Sequence, residues 1–116
     1  MQELDSQRIE EFGFTDAQVK ELLGNFQKNL LVDFEQIRAL CQRGESKALI
    51  SNLHAFKGMV SLFAKQAMVD RVAIIEAEAQ AQPELEKSNV AEQLKALHAQ
   101  LVQLHSEVQA YLIDFH

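Results

Sequence analysis

From Val90 onward an apolar residue returns every third or fourth position: Val90, Leu94, Leu97, Leu101, Leu104, Val108, Tyr111 and Phe115. An α-helix turns once in about 3.6 residues, so this spacing draws one apolar stripe along a single helix. Such a stripe has to be covered, either by other helices of the same chain or by a second copy across a coiled-coil seam.

The same period runs through the rest of the chain. A short leading helix is expected around residues 4–12, ended by Gly13. Thr15 followed by Gln18 three residues later reads as a capping box. Val19, Leu22, Leu23, Phe26, Leu30, Phe34, Ile37 and Leu40 then keep helical spacing up to Arg43-Gly44, a basic residue and a Gly that read as a stop. Another helix starts near Ser46, with the stripe Leu49, Leu53, Phe56, Val60 and Phe63. A further one covers about 66–81, with Met68, Val72, Ile75 and Ala79 on one face. Pro83 interrupts, and Asn89 with Glu92 signals the last start. Four Gly and one Pro in 116 residues, in a chain rich in Ala, Leu, Gln and Glu, agree with helix throughout. The expected architecture is all-α: an antiparallel four-helix up-and-down bundle with a short extra N-terminal helix, one domain over residues 1–116. No solenoid-length repeat, low-complexity tract or linker divides it.

A net charge of −6 disfavours a general nucleic-acid binder, which needs clustered Lys and Arg. The single Cys41 has no internal disulfide partner and points to a reducing compartment. Its position beside the first long stripe suggests a partly buried, inert thiol. The opening Met1-Gln2-Glu3-Leu4-Asp5 lacks the basic head and apolar run of a secretory signal, and no apolar stretch approaches the ~18 residues of a membrane span. A cytoplasmic protein without membrane contact is expected. His98 and His105 are seven residues apart, a rise of about 10.5 Å that is too long to chelate one ion directly. No Glu-x-x-His pair is present, and His116 is terminal, so no metal site is expected. The absence of a Gly-rich phosphate loop argues against an ATP-using kinase.

His54 stands apart from these. On a helical projection it lies on the half opposite the Leu49–Phe63 stripe. Lys47, Ile50, Ser51, Lys57, Gly58, Ser61 and Lys65 fall within roughly 60° of it. The face is polar and basic in an acidic chain, with Ile50 its one large apolar member. A neutral imidazole is a competent nucleophile toward an acyl phosphate. Lys57, at i+3, can attract phosphoryl oxygens, and Gly58, at i+4, leaves room for them. A mid-helix Gly costs about 1 kcal/mol against Ala, so one beside the imidazole calls for a reason. Taken singly, a surface His, a basic stripe and a helix Gly each have a plainer explanation. Their coincidence on one face favours chemistry.

With His54, Lys57 and Gly58 in this spacing, the chain resembles the histidine-containing phosphotransfer domains of multistep two-component signalling. The resemblance spans essentially the whole chain, short leading helix included. It implies that His54 accepts a phosphoryl group from the aspartate of a receiver domain and passes it to another receiver. The receivers would belong to a hybrid sensor kinase and a response regulator. It also implies an exposed His midway along the second bundle helix and an apolar docking patch around that His, in which Ile50 is expected to lie with exposed apolar residues of the first helices around it and with Lys47, Ser51, Ser61 and Lys65 beside it. A core already satisfied by four helices would leave this phosphocarrier monomeric. The chain itself would need no cofactor, the Mg²⁺ being supplied by the receiver. The family's Gly at +10 is Ala64 here, and its small residues at +5 and +6 are Met59 and Val60. These departures bear on helix packing more than on the phosphoacceptor. Two other functions remain open: a non-catalytic helical adaptor, or degenerate relative, that binds or sequesters receivers; and a piece of an oligomeric coiled coil.

Overall fold

The computed structural model describes residues 1–114 and is helical almost throughout. Helix α1 covers Ser6–Glu11, α2 Asp16–Gln42, α3 Ser46–Val60, α4 Gln66–Ala81 and α5 Val90–Ile113, with a 3-10 turn at Leu85–Lys87. No strand occurs among the described residues, where a single isolated bridge pairs Leu4 with Ala64.

Local chemistry explains most of the boundaries. The Thr15 side chain accepts the Gln18 backbone N–H, and the Gln18 side chain accepts the Thr15 backbone N–H, which completes the expected capping box. Gly13 and Gly44 have φ of +70° and +69°. Side chains rarely tolerate that region, so each Gly ends the helix before it. The start of α5 differs from expectation. Asn89 makes no side-chain cap; the Ser88 hydroxyl instead accepts the Val90 N–H at 3.2 Å, and the Asn89 N–H donates to Glu78. The leading helix is also shorter than 4–12, because Leu4 and Asp5 are drawn into pairing with residues 63–65.

Helix α2 packs against α3 and α5, and α4 packs against the same two, so each long helix lies beside two others. The molecule measures 48 × 20 × 20 Å. The α5 stripe is buried from Val90 to Val108, and Tyr111 is half-buried; Phe115 and His116 lie outside the described residues. That stripe is covered within the chain, which leaves no apolar seam along Val90–Val108 for a coiled-coil partner. The expected core residues of α3 and α4 are buried, as is Phe63 just beyond α3. On α2, Leu22 is exposed, because neighbouring residues differ by about 100° and Leu23 takes the inward place. Each buried Leu, Ile, Val, Phe or Met contributes about 1.5–3 kcal/mol by leaving water. No helix among the described residues is long and apolar enough to cross a membrane.

Candidate functional site

His54 sits near the middle of α3 with its side chain 71% exposed. The inward positions are Leu49, Leu53, Phe56 and Val60, all buried. Packing of that stripe turns the imidazole outward.

The ring is nevertheless held. Its Nδ1 lies 3.1 Å from Oε2 of Glu76 on α4, while Lys57 Nζ donates to Oε1 of the same carboxylate at 2.9 Å. The Glu76 side chain is only 10% exposed, so one buried carboxylate ties two residues of α3 to α4. Burial alone pushes the Glu76 pKa up, but the hydrogen bonds and charges of Lys57 and His54 outweigh it and hold it below the usual 4.5. An ionised carboxylate can only accept, so the proton between the two groups belongs to Nδ1 of His54. In a neutral imidazole that leaves the lone pair on Nε2, at the exposed end of the ring.

Helical spacing does not reveal Glu76, whose partners stand 22 and 19 residues away. A faint signal exists in hindsight: Glu76 is four residues after Val72 and three before Ala79, which puts a carboxylate on the flank of an apolar stripe.

The remaining expected residues are only partly brought together. Gly58 is exposed, and a methyl added there would meet nothing within 4 Å. Lys47 and Ser51 are exposed on α3. Ile50 is half-buried and packs against the core. Ser61 caps the end of α3 and donates its hydroxyl to the Gly58 carbonyl at 2.6 Å. Lys65 does not continue the His54 face, because α3 stops at Val60; it stands at the start of α4 and donates to the Met1 carbonyl.

An open apolar surface lies beside the end of α3. A groove of about 340 Å³ is walled by Phe12 and Phe14, by Leu22 and Phe26 of α2, and by Met59 and Leu62 at the end of α3. Phe12, Phe14, Leu22 and Leu62 are exposed. Asn25 and Asn29 add the polar part of its lining. Between His54 and Met59 the α3 surface carries the exposed small residues Ala55 and Gly58.

The other candidates have structural surroundings. Cys41 is half-buried, and burial pushes its thiol pKa up, as expected of an inert thiol. His98 is half-buried and stacks on Phe34 with ring centres 5.7 Å apart; His105 is half-buried on α5. Among the described residues no three His, Cys, Asp or Glu side chains converge to hold a metal. No family model, no curated protein and no solved structure matches the chain.

Proposed function

We propose that this chain is a phosphorelay intermediate, in which His54 takes a phosphoryl group from the aspartate of one receiver domain and gives it to another. The observation that carries the reading is an exposed imidazole whose Nδ1 is pinned to buried Glu76, leaving Nε2 free. In the forward step the Nε2 lone pair attacks phosphorus. The N–P bond forms, the P–O bond of the aspartyl phosphate breaks, and the aspartate leaves as a carboxylate. The ring becomes cationic, and the Glu76 carboxylate offsets that charge through Nδ1–H. Lys57 is 30% exposed and stays bound to Glu76. It keeps the carboxylate ionised and adds positive charge on the side where phosphoryl oxygens arrive.

On this reading the four long helices are an antiparallel up-and-down bundle, the chain is a cytoplasmic monomer, and the groove beside α3 receives the apolar face of the receiver. Short joints over residues 43–45 and 61–65 support the antiparallel order.

The test is labelling. Incubated with a panel of purified phosphorylated receiver domains and Mg²⁺, the protein is expected to gain an acid-labile, base-stable phosphate. Binding to receivers without any transfer would point to the sequestering adaptor instead. Gly58 supplies a second check. Gly58→Leu fills open space on a helix and is expected to raise stability by about 1 kcal/mol. It should also slow transfer, because the new side chain occupies the approach to the ring. A melting curve and a transfer assay on the same variant separate the effects, and undiminished transfer removes the access argument.

A further inference from the structure

Glu107 is the other buried carboxylate of the molecule's described part, and it lies outside the site above. Its Oε1 accepts the backbone N–H of Glu3 at 2.9 Å and of Leu4 at 3.0 Å, while Oε2 accepts the Gln103 side-chain amide at 2.9 Å. Burial alone raises its pKa, but the amide hydrogen bonds outweigh that and hold it below 4.5.

The segment it holds is a strap. Asp5 N–H donates to the Phe63 carbonyl and Lys65 N–H to the Glu3 carbonyl, each at 2.8 Å, with Leu4 fully buried between them. Asp5 then caps α1 by accepting the Arg8 N–H at 3.0 Å. Arg8 donates in turn to the carbonyls of Ser61, which caps α3, and of Ala64 in the joint before α4. One turn on, the Phe12 ring meets Phe63 edge-on at 6.3 Å and Phe14 at 5.1 Å. Phe12 and Phe14 form one wall of the apolar groove.

We propose that Glu107 is a positioning residue for that groove: by fixing residues 3 and 4 it sets the seat of α1, and α1 sets the Phe12 wall. This rests on the groove being the face that receives the receiver domain. Pairing with residues 63–65 does not use the N–H of Leu4, so without Glu107 this buried donor and that of Glu3 lose their partner. Glu107 touches neither His54 nor the groove, so its effect falls on docking and spares the chemical step.

The chain contains no Trp, so Phe12→Trp installs one indole reporter in the wall. In that background Glu107→Ala is expected to shift the indole emission to the red and to raise its quenching by acrylamide. Glu107→Gln, which keeps an acceptor oxygen, should restore most of the original spectrum. Glu107→Met matches the length of the side chain without an oxygen acceptor and carries the comparison if the Ala variant does not fold. In the Phe12 background, transfer from a phosphorylated receiver domain should show KM raised about tenfold, the loss of about 1.4 kcal/mol, with kcat retained. An indole indifferent to Ala and Met in a folded protein overturns the proposal, and so does a shifted indole with KM unchanged. If the wild type takes no phosphoryl group from any receiver, the phosphorelay reading falls, and the indole spectra alone decide whether Glu107 sets the wall.

Discussion

Replacing His54 by Gln is expected to abolish phosphoryl acceptance while leaving the melting temperature nearly unchanged. The two results together are what the phosphorelay reading expects. The His54 side chain is 71% exposed and contributes nothing to the buried stripe of α3, and exposed substitutions of this kind usually stay within about 0.5 kcal/mol. Gln also carries an amide that can donate to the Glu76 carboxylate, so the buried acid is not stranded. An amide nitrogen has no free lone pair for attack on phosphorus, so the loss should be complete. The remaining described histidines are poor substitutes, His98 being stacked on Phe34 and both it and His105 half-buried. The check is radiolabel transfer from a phosphorylated receiver with a thermal melt alongside. Label retained by the variant sinks the assignment of the nucleophile.

What could be read from the sequence follows the range of the forces involved. Helices are short-range objects, and their signals are short-range too. The Thr15–Gln18 box, the stops at Gly13 and Gly44 and the apolar period of α5 all act within a few residues. The outward direction of His54 follows from the same period, because the stripe opposite it has to be buried. Polar ties between distant segments leave no such trace. Helix α3 ends at Val60, and residues 63–65 beyond it pair with residues 3–5, so a projection continued through Phe63 and Lys65 misplaces Lys65. Glu76 bridges 22 residues to His54, and Glu107 bridges 103 to Leu4. Each is visible beforehand only as a carboxylate beside an apolar stripe, with no indication of what satisfies it. The apolar groove is expected only in outline, as exposed apolar residues of the first helices: it is assembled from the turn after α1, from α2 and from the end of α3 and the residues beyond it, and no single helical face contains it.

The second large effect is expected at Glu76, and its order is informative: Glu76→Gln should impair transfer more than Glu76→Ala. Lys57 requires an acceptor and lies 2.9 Å from Oε1. A Gln here turns its carbonyl oxygen to Lys57 and its NH₂ group to His54. That NH₂ donates to Nδ1, so the neutral ring must carry its proton on Nε2, and the exposed nitrogen loses the lone pair that the proposed attack on phosphorus requires. Ala removes the tether without imposing the wrong tautomer, so part of the population stays competent. A hydrogen bond to a charged group is worth about 1.5–3 kcal/mol, so the Ala variant should slow by roughly 10- to 100-fold, and the Gln variant by more. Acid melts give an independent reading. The Glu76 pKa is lowered in the folded state, so its contribution to stability is fully present above the usual 4.5 and is lost as pH falls through the lower folded value. In Glu76→Gln that part of the acid sensitivity should vanish, and the sensitivity owed to Glu107, whose pKa is lowered as well, should remain. A Gln variant that transfers as fast as wild type would mean that the proton on Nδ1 does not matter, and the carboxylate would then be a structural tie between α3 and α4 and nothing more.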